Sequence, residues 1–444
     1  MSRRRVLILG AAGRDFHNFN VVFRDDPAFE VVAFTATQIP RIAGRRYPAA
    51  LAGPHYPHGI PVFREDEVER LVAELKVDEA IFSYSDVSYD HIGHLCARVN
   101  AAGPAFTLLG TRQTMLRARV PVVAVTAVRT GSGKSQTSRY VSKQLRSAGH
   151  RVVVVRHPMP YGDLERQAVQ RLATLEDLTD HDCTFEEREE YESHIEQGIV
   201  VYAGIDYAAI LERASRECDV LVWDGGNNDW PFFVPDLWIT VADPLRSGHE
   251  TRYYPGEVNF RSADVIVINK VESADPGSVD AVASEAARVN PKATLVRARS
   301  LVGVSNPEAV RGKRVLCIED GPTLTHGEMS FGAALVAAQR FGAAEVVDPR
   351  PHAVGSIKDT LEKYPHIGKL LPATGYWPEQ IADLEASIEA SARATGCDLV
   401  LVGTPFDLAS QLHIDKPALR VRYSLEPLEE EPSLPDLILK AVKR

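Results

Sequence analysis

Lys134 and Ser135 close the run Val122-Val-Ala-Val-Thr126-Ala-Val-Arg-Thr130-Gly131-Ser132-Gly133-Lys134-Ser135-Gln136, in which an apolar strand breaks at a glycine turn and a helical pattern follows. Those residue types hold phosphate. Glycines let backbone N–H groups converge on phosphate oxygens, the helix start adds positive potential, and the Lys134 ammonium can bridge the outer phosphates. Ser135 is then placed to ligate Mg²⁺, and Thr130 to Gln136 form the nucleotide-binding turn. Downstream, Asp219-Val-Leu-Val-Trp-Asp224 is an apolar strand ending in a carboxylate. Asp224 would hold Mg²⁺ through water. Strand-end turns often carry Asp for conformational reasons alone, but a phosphate loop on the same sheet favours the metal.

Three further stretches carry candidate chemistry. Asp264-Val-Ile-Val-Ile-Asn269-Lys270-Val-Glu272 ends a strand in a near match to the guanine-reading NKxD motif, with Glu272 at the Asp position. Asn269, Lys270 and Glu272 therefore read as purine contacts, ATP or GTP. Arg151-Val-Val-Val-Val-Arg156-His157 is a buried strand ending in two basic residues, candidates for gripping an anionic substrate. The loop after Leu237–Ala242 carries Arg246, His249 and Arg252, either an anion-binding loop or a surface coil. Between the phosphate loop and Asp224, Thr184-Phe-Glu186-Glu187-Arg-Glu189-Glu190-Tyr-Glu192 packs five acids into two helical turns. It is either a solvated helix face or a second metal shell or partner-domain contact, with Glu187 the metal candidate.

The elements that position these residues are strand–helix alternations throughout, which makes the chain a multi-domain α/β protein. An opening strand, Arg5–Leu9, enters the turn Gly10-Ala-Ala-Gly13-Arg14-Asp15-Phe16-His17 and heads a Rossmann-like domain over 1–118. The turn lacks the third glycine of GxGxxG, so a nicotinamide site is not expected; Arg14 and His17 either bind an anion or belong to a structural turn. A central P-loop domain with a mainly parallel sheet is expected over 119–343. A smaller α/β domain follows over 344–444, with a long helix from Pro378 to Thr395.

Composition bounds the rest. The chain has 444 residues, 45% hydrophobic and 25% charged, with a net charge of −10. No long basic run offsets that charge, which argues against nucleic acid or a membrane surface as partner. No apolar segment reaches the roughly 18 residues of a span, so the protein is expected in the cytoplasm. Five scattered cysteines, odd in number and without a CxxC pair, favour reduced thiols.

The turn xxxTGxGK[ST], with Val128 where the usual first glycine stands, is similar to the phosphate loops of the dethiobiotin synthetase and metallochaperone branch of P-loop proteins. Taken together, Gly10–His17, Thr130–Ser135, Arg156-His157-Pro158-Met159-Pro160-Tyr161-Gly162, the Glu-rich stretch, His249-Glu250, Tyr254-Pro255-Gly256-Glu257 and Gly403-Thr404-Pro405 resemble the cyclic 2,3-diphosphoglycerate synthetase family over nearly the whole chain. The resemblance implies ATP- and Mg²⁺-dependent closure of 2,3-diphosphoglycerate to its cyclic pyrophosphate, with release of ADP and phosphate. On that reading Lys134, Asp224, Arg156 and His157 are catalytic. Arg246, His249, Arg252, Arg14 and His17 bind a phosphorylated small molecule, and the chain is expected to act as a homodimer. The alternative is a regulatory or metal-delivery GTPase, or a related phosphoryl-transfer enzyme acting on another small anionic substrate.

Overall fold

A computed structural model describes residues 3–443 apart from 12, 38–41, 158, 160, 161, 227, 326 and 376. Ala12, Pro158, Pro160 and Tyr161, which belong to the motifs of the resemblance, lie outside the described residues.

The architecture is α/β, with large and mainly parallel sheets. Six strands in the order Arg46–Tyr47, Ile60–Arg64, Phe29–Ala36, Arg4–Leu9, Glu79–Phe82, Ala105–Leu108 form the N-terminal sheet, parallel except at its first pair. The strand order reverses between Arg4–Leu9 and Glu79–Phe82. Ligand crevices of such sheets open at that point, beyond the carboxyl ends of the strands.

The second sheet has 13 strands. Its central part runs Val200–Ala203, Val152–Arg156, Val220–Asp224, Val122–Ala127, Leu237–Ala242, Val265–Ile268, all parallel. These strands read as unbroken Val/Ile/Leu runs because helices cover both faces, leaving no solvent side to populate with polar residues. The strand Thr294–Val304 lies parallel to Val265–Ile268 over its first half and antiparallel to Ala418–Pro427 over its second, and so carries the sheet into the C-terminal segment.

Arg314–Asp320 pairs with Glu345–Val346, Leu371–Ala373 and Leu399–Gly403. The boundary expected at 343/344 thus falls between paired strands. The last helix, Leu434–Ala441, returns to the central core, where Leu434 and Ile438 join the cluster around Val141 and Leu145.

The N-terminal and central parts are joined by buried contacts. Val87–Ser88 pairs antiparallel with Tyr253–Tyr254. Arg14 Nε donates to Asp229 Oδ1 at 2.8 Å, and its guanidinium lies over the Trp230 and Phe232 rings. Gly13 has no room for a side chain, since a Cβ there would lie 2.2 Å from His157.

The acidic stretch forms the helix Phe185–Ile195 and is buried rather than solvated. The C-terminal segment covers it: Asp407 N donates to Glu192 Oε1 (2.8 Å), and Phe406 packs on Phe185. Thr184 starts the helix with a capping box, its hydroxyl accepting from Glu187 N while Glu187 Oε2 accepts from Thr184 N. Thr184→Ala is expected to cost about 1 kcal/mol of stability, read from the urea midpoint at an unchanged slope.

Candidate active site

The strand Val122–Ala127 delivers the phosphate loop, and the helix Lys134–Ser147 begins at its end. Gly133 sits at φ +108°, and a Cβ there would come within 2.1 Å of Asn269 Nδ2. Only glycine lets the loop close that tightly. The N–H groups of the helix's first turn have no carbonyl one turn earlier to bond, so they are left for a ligand. A cavity of about 260 Å³ opens over them.

Thr130, Gly131, Gly133, Lys134, Ser135 and Gln136 line that cavity, as do His157, Lys270 and Glu272. Ser132 and Asn269 stand behind the loop: Asn269 Nδ2 donates to the Ser132 carbonyl at 3.0 Å. Lys270 Nζ donates to Gly131 O (2.6 Å) and to Asp243 Oδ2 (3.0 Å). Glu272 Oε1 accepts from Ser300 N at 3.1 Å.

Asp224 is fully buried behind Lys134. Its Oδ1 accepts from Lys134 Nζ at 2.7 Å; its Oδ2 meets Arg156 Nη1 at 2.6 Å and His194 Nε2 at 3.0 Å. Arg156 also reaches Glu190. Burial by itself would raise the Asp224 carboxyl, but Arg156, Lys134 and His194 hold it well below the usual carboxylate range. Burial, with Arg156 adding to it, pushes the Lys134 ammonium down to about 8 against the pull of Asp224.

Phosphate prefers the protonated lysine. Affinity for a phosphate-bearing nucleotide is therefore expected to weaken as pH rises through about 8. A fluorescent-nucleotide titration across pH 7–9.5 checks this, and a flat profile contradicts it.

Ser135 stands at the helix start and lines the cavity, so its hydroxyl could hold Mg²⁺ shared with a bound triphosphate. Asp224, expected as the second ligand, does not line the cavity, because its oxygens are taken by Lys134, Arg156 and His194. Among the described residues no three His, Cys, Asp or Glu side chains converge on an all-protein metal site. Glu187, expected among the ligands, lies outside this cavity. The helical turn that sends Glu186, Glu189 and Glu190 to the phosphate cavity points Glu187 into its own cap and a separate cavity of about 190 Å³ beside Gln167 and Trp377.

The expected substrate grips are also placed differently. Arg14 is held by Asp229, and His17 stacks on Phe232 with burial and Arg14 pushing it down to about 3. Arg246 braces the loop from behind, donating to Thr130 O (2.8 Å), Gly327 O (2.6 Å) and Asp243 Oδ2 (3.0 Å). His249 takes Arg129 Nη1 at 2.9 Å and stacks on Tyr253, and Arg252 is exposed. None of these five lines the cavity. Arg14 and Arg246 spend their charges on internal partners, burial holds His17 and His249 neutral, and Arg252 turns outward, none of which a reading by composition can see.

The same cavity also carries acidic residues. Besides Glu186, Glu189 and Glu190, the strand Arg314–Asp320 ends there in Glu319 and Asp320. Glu319 accepts from Leu335 N (2.8 Å) and Ala334 N (3.1 Å), and burial raises it to about 7. Burial and the neighbouring Asp320 raise Glu189 well above the usual carboxylate range. Sequence reasoning missed Glu319 and Asp320; their only signal was two acids at the end of an apolar strand.

No family model matches the chain. Among solved structures, LpxK of Aquifex aeolicus, determined with ATP, is similar at 15% identity over 74% of this chain and 91% of that one, with a TM-score of 0.42. Cobyrinic acid a,c-diamide synthase of Mycobacterium smegmatis, with an ATP analogue and magnesium, covers 40% of this chain and 72% of its own at 16% identity and a TM-score of 0.18. Arginine synthetase ArcE of Thermococcus kodakarensis is 57% identical over 436 residues, 98% of this chain and 96% of that protein. At that identity over nearly the whole of both chains, this protein belongs to the family of arginine synthetase ArcE.

Proposed function

We propose that the chain is an ATP-dependent synthetase whose product is arginine. The observation that carries the reading is a single cavity lined both by the phosphate loop with Lys134 and by the carboxyl groups of Glu186, Glu189, Glu190 and Asp320. Such a cavity suits a triphosphate beside a substrate that becomes cationic. The relative's name supplies the product.

A guanidinium can be made from a ureido group only if the ureido oxygen becomes a leaving group. In the proposed route that oxygen attacks the γ-phosphorus of ATP, the bond to ADP breaks, and ammonia then attacks the ureido carbon. The C–O bond breaks, phosphate leaves, and the nitrogen sheds protons to give arginine. Lys134 and the first-turn N–H groups hold the transferring phosphoryl group. Ser135 would hold Mg²⁺, which would neutralise phosphate charge. Holding oxygen and phosphorus in line makes the first step effectively intramolecular. Adenine is the proposed base, because Glu272 Oε1 is engaged by Ser300 N rather than left open for guanine N–H groups.

The diphosphoglycerate cyclisation implied by the sequence resemblance would use the same phosphate loop. It would also place a carboxylate carrying two phosphates beside carboxyl groups that offer it no cation. One experiment compares the two: protein, Mg²⁺ and ATP are incubated with citrulline and ammonium, or with 2,3-diphosphoglycerate. Arginine formed with equal amounts of ADP and phosphate supports the proposal; an internal-pyrophosphate phosphorus signal in the second mixture, with no arginine in the first, overturns it.

A further inference from the structure

The N-terminal domain has no part in the phosphate chemistry above, yet it reaches the cavity. At its sheet's reversal point the chain leaves the strand Glu79–Phe82 and runs through Asp86, which lines the cavity beside Arg129 and Thr130. Asp86 is fixed there. Its backbone N–H donates to Tyr254 O at 2.9 Å, the next two residues pair with Tyr253–Tyr254, and its φ is +61°. Its side chain is 6% exposed; Oδ1 accepts from Arg129 Nε at 2.8 Å, whereas Oδ2, equally buried, has no hydrogen-bond partner among the described residues.

A buried carboxylate oxygen without a donor is costly unless a ligand supplies one. The Arg129 guanidinium on the neighbouring oxygen disfavours a divalent cation there, and an anion is excluded by the carboxylate itself. A nitrogen carrying several N–H donors and a single spread charge meets both constraints. The reversal point of an α/β sheet is also where such domains bind small molecules.

We infer that Asp86 binds a cationic nitrogen group of the substrate, a guanidinium or an ammonium, where the N-terminal domain closes on the phosphate cavity. The inference deepens the synthetase reading and rests on it for the identity of the cation. It gives the N-terminal domain a function: it presents the acceptor's charged end to the cavity while the central domain presents phosphate.

L-Arginine is the probe, titrated by calorimetry into the full chain with ADP and Mg²⁺ present. Asn occupies positive φ as readily as Asp, so Asp86→Asn keeps the turn and removes the charge. Asp86→Glu keeps a carboxylate for Arg129 and moves the second oxygen by a methylene, which guards against a folding defect from an unpaired Arg129. Both variants are expected to bind arginine roughly 10- to 100-fold more weakly than the wild type, with ADP affinity changed less than about threefold. Arginine binding unchanged in either variant, or absent from the wild type, overturns the assignment. ATP-dependent arginine formation with Asp86-independent binding would sink the site and keep the reaction; Asp86-dependent binding without formation would sink the reaction and keep the site.

Discussion

Lys134→Ala is expected to lower ATP turnover by about 10³-fold, the scale seen when one preorganised group facing developing charge is removed. The substitution takes away the cation that faces the phosphates and that otherwise rests on Asp224 Oδ1 at 2.7 Å. It leaves the loop's scaffold standing, because Asn269, Lys270 and Arg246 all bond the loop from behind and none depends on Lys134. Circular dichroism and the urea midpoint should therefore stay near wild type while ADP release collapses. Turnover within threefold of wild type would show that the phosphate end of the cavity is not where the chemistry occurs.

Asp224→Ala should damage both activity and stability. The wild-type carboxylate is surrounded by Arg156 and His194, both buried, and by Lys134, which lines the cavity. Removing it leaves Lys134 without its carboxylate and Arg156 with Glu190 alone, and breaking a buried pair in this way typically costs about 3–5 kcal/mol. The sign follows from the depressed carboxyl: Asp224 contributes stability that is present above its unfolded pKa and lost as pH falls through the still lower folded value. The variant should accordingly lose most against wild type at neutral pH, with the gap narrowing in strong acid. Urea denaturation at pH 7 measures the loss, and a change below about 1 kcal/mol would contradict the charge arrangement described here.

The parts of this site legible in the sequence are those encoded by contiguous residues. The glycine turn, Lys134 and the strand ending in Asp224 each carry their geometry within a dozen positions, so local pattern suffices. The α/β alternation and the helix Pro378–Thr395 were legible for the same reason. What depends on distant partners was not. Arg246 looks like an anion grip until Gly327, 81 residues away, and the loop carbonyl of Thr130 are seen to occupy it. The acidic helix looks solvated until Asp407, 215 residues from Glu192, folds over it. Its face choice was also invisible: a single-residue step of the helix separates Glu186 on the cavity from Glu187 in the cap. Asp86 had no motif at all; its meaning comes from a strand pairing with Tyr253–Tyr254 and from the unmatched oxygen beside Arg129.

On the proposed route the γ-phosphoryl group of ATP lands on a substrate oxygen that later departs as phosphate. Citrulline labelled with ¹⁸O in its ureido group tests it most directly, with ATP, Mg²⁺ and ammonium present and the released phosphate read by mass spectrometry. One ¹⁸O is expected in each phosphate formed alongside arginine. Unlabelled phosphate released as ATP is consumed would contradict it.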